Sequence, residues 1–148
     1  SLLEEVDMVA AFVRIENERY DHRIVFEENI EEECKKVQIP PLLLQPIVEN
    51  AIKHGMTEEQ LKVRLTAQKK GNKVVVEIRD NGKGMGMDQV HKITSNQKGV
   101  TGVGLRNISY RLKKCYKTAL NIESSVGKGT IVRVEIPIRR EVKKWERL

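Results

Sequence analysis

Apolar positions along the chain recur with two different periods, and the changes between them predict its helices and strands. Helical spacing is found in residues 2–20 and 103–116. A third helix is predicted in PLLLQPIVENAIKHG (41–55), since proline is tolerated in a first turn and Gly55 is a good helix terminator. The apolar residues at 2–15 are expected either to dock on a partner or to pack on the chain's own sheet.

Alternation with a period of two predicts strands. In chain order the predicted strands are HRIVFEE (22–28), LKVRLTAQKK (61–70), KVVVEIRD (73–80), ALNIESS (119–125) and TIVRVEIPI (130–138), and the alternation is found in the second, fourth and fifth. The turn Gly71-Asn72 joins the second and third strands as an antiparallel pair, and VGKG joins the last two as a hairpin. The stretch NIEEECKKVQ is polar and loop-like.

Residues 86–101 are polar and show no apolar period, so they predict a long loop. The order of elements is then helix, strand, helix, strand, strand, loop, helix, strand, strand. This order predicts an α/β (α+β) two-layer sandwich, with helices on one face of a mixed, largely antiparallel sheet.

Composition narrows the class of protein. The chain has 148 residues, 39% hydrophobic and 32% charged, which fits one soluble domain and argues against disorder and membrane spans. The net charge is +6 and the tail at 139–148 is basic, but aromatic residues are only 4%, so no nucleic-acid partner is predicted. Cys34 and Cys115 lie far apart without metal-binding spacing, and free thiols are expected.

The end of the third predicted strand runs into DNGKGMG. Asp80 places a carboxylate at a strand end, and Gly82 and Gly84 allow a ligand to approach the main chain closely. Taken alone, the same residues also fit a glycine-rich turn whose aspartate binds its own backbone.

A second glycine pair lies in GVTGVGLRN (99–107). Gly102 and Gly104 precede a predicted helix, whose free N–H groups and dipole favour an anion. A Walker A motif is absent, and a flexible hinge feeding the helix is the alternative.

The helix end VENAIKHG gathers four polar side chains. The amide oxygen of Asn50 can be the only protein ligand of a hard cation that bridges phosphates, and Lys53 can offset phosphate charge. The alternatives are an ordinary surface pair between Glu49 and Lys53, and a His54 favoured by the helix dipole.

Together, the segments resemble the ATP-binding domain of the GHKL superfamily, which includes gyrase, Hsp90, histidine kinases and MutL. PLLLQPIVENAIKHG, DNGKGM and GVGLRNISYRL are similar to the N, G1 and G2 boxes of LytS-type sensor histidine kinases, and GKGT (127–130) follows them. The resemblance covers about residues 37–137 and implies the Bergerat α/β sandwich.

The resemblance also implies roles for individual residues. Asn50 would bind Mg2+, with Lys53 and His54 near the phosphates. Asp80 would accept the adenine amino group, with Gly82, Gly84 and Met85 beside the base, and Thr130 would fix the adenine through water. Residues 87–101 would form a mobile lid over ATP. The positions expected at the phosphates are Thr101, Gly102, Val103, Gly104 and Leu105.

The same resemblance bears on the reaction. Hydrolysing members of the superfamily have a glutamate four residues before the magnesium asparagine, and here that position is Pro46, which cannot abstract a proton. Glu49 is the nearest carboxylate and a weak catalytic candidate. We therefore expect a histidine kinase that transfers the γ-phosphoryl group of Mg-ATP, the alternatives being an ATP hydrolase or a nucleotide-sensing binding module.

The phosphoacceptor motif of such kinases, similar to NPHFLFN, is absent. His22, His54 and His91 lie in other contexts, so the chain is expected not to autophosphorylate. Residues 1–20 are expected to be a linker helix from a separate dimerisation domain, 21–138 the catalytic domain and 139–148 a tail. Expected partners are ATP or ADP, that dimerisation domain and a response regulator. The fragment would be monomeric, and its parent a homodimeric bacterial inner-membrane sensor with this domain in the cytoplasm.

Overall fold

The computed structural model describes residues 1–94 and 103–138, except for the side chain of Val103. In chain order the elements are α1 Leu2–Arg19, β1 Ile24–Ile30, a 3₁₀ turn at Glu32–Cys34, α2 Gln45–Gly55, β2 Leu61–Lys70, β3 Lys73–Asp80, α3 Met87–Thr94, α4 Val103–Tyr116, β4 Asn121–Ser124 and β5 Thr130–Pro137. No helix in these ranges combines the length and the apolar character needed to cross a bilayer.

The strands form one sheet in the order β1-β2-β3-β5-β4. β1 runs parallel to β2, and the other neighbours are antiparallel. The predicted mixed, largely antiparallel sheet and both predicted antiparallel pairs are therefore confirmed.

The inner face of the sheet carries the core. On β2 the side chains of Leu61, Val63, Leu65 and Ala67 are buried, and the residues between them are not. β3 and β5 alternate in the same way, because successive side chains of a strand point to opposite faces. The helices cover this face, so the expected two-layer sandwich is observed.

The outer face of the sheet is polar. Arg64 pairs with Glu27, and Arg133 joins Glu77 to Glu123 across neighbouring strands. Pairs this exposed each contribute about 0–1 kcal/mol, so their main effect is to keep the face compatible with water.

Helix α1 packs on the domain's own core. Val6 and Val9 are fully buried and Val13 nearly so, which is the second of the two possibilities left open by the sequence. Met8 and Ile15 point outward, with 51% and 69% of their surface exposed. Most of the apolar face of α1 is therefore used within the domain.

The predicted start of α2 was wrong. The helix begins at Gln45 rather than at Pro41, and Leu42 before it has a φ of +57°. Pro46 explains the boundary, because a proline that lacks an N–H is tolerated only in the first turn. β1 is displaced for a similar reason, since Asp21 and His22 both have positive φ angles and the strand begins only at Ile24.

The long loop predicted at 86–101 was wrong for its first half. Residues 87–94 form α3, which contacts α4 and β4 and buries Ile93. A helix of 8 residues holds too few apolar positions to show a period, and packing stabilises what the sequence pattern does not reveal. Residues 95–101 of the predicted lid lie outside the described residues.

Candidate functional site

Asp80 ends β3 on the buried face of the sheet. The strand register places it opposite Thr130, the first residue of β5, and only 8% of its surface is exposed. The backbone N–H of Gly82 donates to Asp80 Oδ1 at 2.8 Å, and the N–H of Thr130 also donates to the carboxylate. A carboxylate is therefore held in a fixed orientation inside the sandwich.

Burial raises the pKa of Asp80 from 3.8 to about 6, and the N–H groups of Gly82 and Thr130 only partly oppose this effect. At neutral pH the side chain is still ionised. An ionised acceptor in a dry site binds a donor more strongly than one in water does.

Ser124 forms hydrogen bonds on three sides beside Thr130, and no sequence motif above indicated it as a site residue. Its Oγ accepts from the Met85 N–H at 2.7 Å, donates to the Gly129 carbonyl at 2.9 Å and lies 2.8 Å from Thr130 Oγ1. Because its single proton goes to Gly129, the hydroxyl of Thr130 must donate to Ser124. Thr130 is thus left with free acceptor lone pairs. Pairing Ser124 with Thr130 across the predicted hairpin was the signal that could have revealed this contact.

The glycines of DNGKGMG allow two close approaches. A Cβ on Gly82 would lie 2.5 Å from the Cα of Gly55, so only glycine lets this loop meet the end of α2. Gly84 has a φ of +72°, and a Cβ there would overlap the carbonyl oxygen of Ser125. Gly82 and Gly84 therefore both shape the turn after β3 and line the candidate site beside Asp80.

Helix α2 presents the polar side chains of VENAIKHG beside this loop. Asn50 is half-buried, and its amide has no hydrogen bond with the chain in the described structure. Glu49, Lys53 and His54 are exposed, and the Glu49–Lys53 pair considered from the sequence is not formed in the described residues. Although much of its surface is exposed, neighbouring atoms remove part of the hydration of the His54 ring. This desolvation, together with the charges of Lys53 and Lys83, lowers the pKa of His54 and favours its neutral form.

The first turn of α4 lies over the first turn of α2. A Cβ added to Gly104 would be 3.9 Å from Cβ of Pro46, which is one turn before Asn50 on the same side of α2. Leu105 is fully buried, so its side chain belongs to the core and only its main chain can face a ligand. Thr101, Gly102 and the side chain of Val103 lie outside the described residues.

The oxygen and nitrogen donors near α2 limit which metal ion could bind there. No three His, Cys, Asp or Glu side chains converge into a metal-binding group within 1–94 and 103–138. The uncommitted amide of Asn50 fits a cation that takes one protein oxygen and completes its shell with water and phosphate oxygens, as Mg2+ does.

Comparison with known proteins is consistent with this geometry. Residues 40–140 match the model of the family described as histidine kinase-, DNA gyrase B- and HSP90-like ATPases. The chain belongs to this family. Membership makes it an ATP-binding domain and confirms the resemblance seen in the sequence.

Sequence relatives show which branch of the family this domain resembles. It is 34% identical over 143 residues to the sensor protein LytS of Bacillus anthracis, covering 92% of the chain and 24% of that protein. It therefore spans about a quarter of the relative's length. Within the family the chain matches the catalytic domain of LytS-like sensor histidine kinases.

Solved structures agree on the fold. The catalytic domain of histidine kinase ThkA, in a nucleotide-free form, superposes with a TM-score of 0.75 at 23% identity, covering 95% of both chains. The structure of ThkA in complex with the response regulator TrrA matches with a TM-score of 0.69 at 19% identity, covering 95% of this chain and 41% of that one. The expected Bergerat sandwich is thereby confirmed.

Replacing Gly84 by alanine is expected to destabilise the domain more than replacing Gly127. Both residues have positive φ, which costs an alanine about 1–2 kcal/mol, but a Cβ on Gly127 meets nothing within 4 Å. Urea denaturation of Gly84→Ala and Gly127→Ala measures the difference. Equal losses would show that the loop moves away from Ser125 without cost.

Ionisation of Asp80 is expected to destabilise the ligand-free domain. Because its pKa is raised from 3.8 to about 6, the folded state holds the proton more tightly than the unfolded chain does. That stabilisation is complete below about pH 4 and is lost as the pH rises through 6. The free energy of unfolding of the wild type minus that of Asp80→Asn should therefore fall by on the order of 2–3 kcal/mol between pH 4 and 7. Denaturant titrations across this range measure it, and a difference independent of pH would contradict the burial argument.

Proposed function

We propose that this domain binds Mg-ATP and transfers the γ-phosphoryl group to a histidine on a separate dimerisation domain. The buried carboxylate of Asp80, held by two N–H groups opposite Thr130, is the observation that carries the proposal. Such an acceptor suits the exocyclic amino group of adenine and excludes guanine, which presents a carbonyl oxygen at that position.

Residues around Asp80 complete the base site. The free lone pairs of Thr130 can accept from a water that bridges to the adenine ring. Gly82, Gly84 and the buried Met85 bring main chain and an apolar side chain beside the base. The end of the sheet that carries Asp80 and Thr130 thus recognises the nucleoside.

The phosphate end of the site is formed by two helices. The first-turn N–H groups of α4 have no intrahelical partners and favour an anion, and Lys53 of α2 adds a positive charge. Asn50 would ligate Mg2+, which when bound would neutralise phosphate charge. We assign Thr101, Gly102, Val103, Gly104 and Leu105 to the phosphates through the main chain.

Transfer rather than hydrolysis follows from what α2 lacks. Pro46 occupies the position expected for a water-activating glutamate, and Glu49 is exposed and without an ion-pair partner in the described residues. The neutral imidazole of the phosphoacceptor histidine, on the dimerisation domain, is a competent nucleophile without a base. Its nitrogen would attack the γ-phosphorus of ATP, and the bond from the γ-phosphorus to the β–γ bridging oxygen would break to release ADP.

The rest of the parent protein is proposed from its relatives. We infer that α1 leads out of a dimerisation domain, that the parent is a homodimeric inner-membrane sensor, and that a response regulator receives the phosphoryl group. The likeness to LytS and to the ThkA–TrrA complex supports this.

Calorimetric titration tests nucleotide recognition. Asp80→Asn should weaken the binding of both ATP and adenosine at least about tenfold, because an amide places a donor where the amino group must donate. Asn50→Ala should weaken ATP binding only when Mg2+ is present.

The control for these two variants is Asn121→Ala, at an exposed position of β4, which should change neither affinity. Asn81, which follows Asp80 in the chain, is unsuitable as a control. Its Oδ1 accepts from the Lys62 N–H at 2.7 Å, and loss of this bond would disturb the fold. Unchanged adenosine binding in Asp80→Asn would overturn the assignment of the base site.

Radiolabelled ATP tests the reaction. The isolated domain should release phosphate at a negligible rate, unchanged in Glu49→Gln, and should not label its own histidines. Adding a dimerisation domain that carries the phosphoacceptor histidine should produce a labelled protein stable to base and labile to acid. Rapid phosphate release lost in Glu49→Gln would instead indicate a hydrolase, and ATP binding without any transfer would indicate a binding module.

A further inference from the structure

Helix α2 begins without a cap of its own. Its N-cap residue is Leu44, whose side chain cannot accept a hydrogen bond. The N–H of Leu44 instead donates to Glu5 Oε1 at 2.6 Å. Glu5 belongs to α1, is only 5% exposed, and places its negative charge at the positive end of the α2 dipole.

The first turn of α1 is bound in return to the segment that leads into α2. The N–H of Leu2 donates to the Val37 carbonyl at 2.8 Å, and the N–H of Leu3 donates to the Lys35 carbonyl at 3.1 Å. These bonds satisfy donors that every helix leaves free at its start. Hydrogen bonds thus run in both directions between the start of α1 and the segment that leads into α2.

Helix α4 also binds the segment that leads into α2. The guanidinium of Arg111 donates to the Pro41 carbonyl at 2.6 Å and to the Leu42 carbonyl at 3.0 Å. The segment 41–44 is thus hydrogen-bonded to both α1 and α4, and α4 begins at the proposed phosphate site. Because α2 is a short rigid helix in a close-packed core, a shift of Leu44 displaces Asn50 as well.

We propose that Glu5 is a positioning residue for the phosphate end of the nucleotide site. Its carboxylate fixes the start of α2 and thereby the place of Asn50 and Lys53, so a change in α1 alters how Mg-ATP is held. This inference rests on the proposed function. By linkage the coupling is reciprocal, and bound nucleotide must stabilise the contact between α1 and α2.

The test uses Glu5→Gln, with Glu18→Gln as the matched change at an exposed position of α1. Glu5→Gln should weaken Mg-ATP binding about tenfold and leave adenosine binding unchanged, because adenosine occupies only the Asp80 end. Glu18→Gln should change neither. Val134→Ala, in the buried centre of β5, controls for loss of stability alone and should lower the melting temperature without this split between ligands.

Equal weakening of both ligands by Glu5→Gln, or no weakening of either, would overturn the positioning role. Wild-type protein that fails to bind adenosine and Mg-ATP would overturn the proposed function itself, so the two failures are distinguishable. If Glu5→Gln does not fold, Arg111→Lys tests the same segment, since one ammonium replaces the paired donors of the guanidinium, and the same split is expected.

Hydrogen exchange in the wild type supplies an independent readout. Mg-ADP should slow exchange of the Leu44 amide and of the first turn of α1, while adenosine should not. Protection confined to α4 and the β3 end would contradict the coupling.

Discussion

The register between β3 and β5 is the constraint on which the site depends. It sets Asp80 against Thr130 at the point where both strands meet the glycine loop, and Ser124 is carried to the same point by the register of β4 on β5. A slip of one residue would turn the carboxylate to the outer face, because side chains alternate along a strand. The core and the site are consequently fixed by one set of hydrogen bonds.

Burying a charge at a strand end has an energetic cost that the ligand can offset. The two N–H groups that bind Asp80 limit the rise of its pKa without abolishing it. The free domain therefore carries an ionised group that would be better satisfied with one more donor. The amino-group recognition that we propose at this position would therefore be favoured by the incompletely satisfied charge of Asp80, and not by shape alone.

Sequence patterns revealed the parts of this molecule whose signals are local. The alternation in LKVRLTAQKK and TIVRVEIPI, and the joint spacing of the three motif segments, sufficed for the sheet, the helix after the glycine pair and the family. Helix α3 was missed because Val90 and Ile93 are too few to define a period. The start of α2 was missed because Pro41 and Pro46 both suit a first helical turn by residue type, and only the fold shows that Pro46 occupies it.

The contact between Ser124 and Thr130 lies across the predicted hairpin and could have been found from it. The contact of Glu5 could not, because its partner is an amide 39 positions away in the chain. On the sequence Glu5 is one acid among several in LLEEVD. Tertiary hydrogen bonds to the backbone leave no pattern in the residues that make them.

Both edge strands of the sheet are poorly suited to pairing with the sheet of a second copy. β1 presents Glu27, Glu28 and Asn29 along one exposed edge, and β4, at the other, is only 4 residues long. Short or charged edge strands resist pairing with another sheet. In the homodimer that we propose for the parent protein, two such domains would therefore meet at high local concentration without joining their sheets.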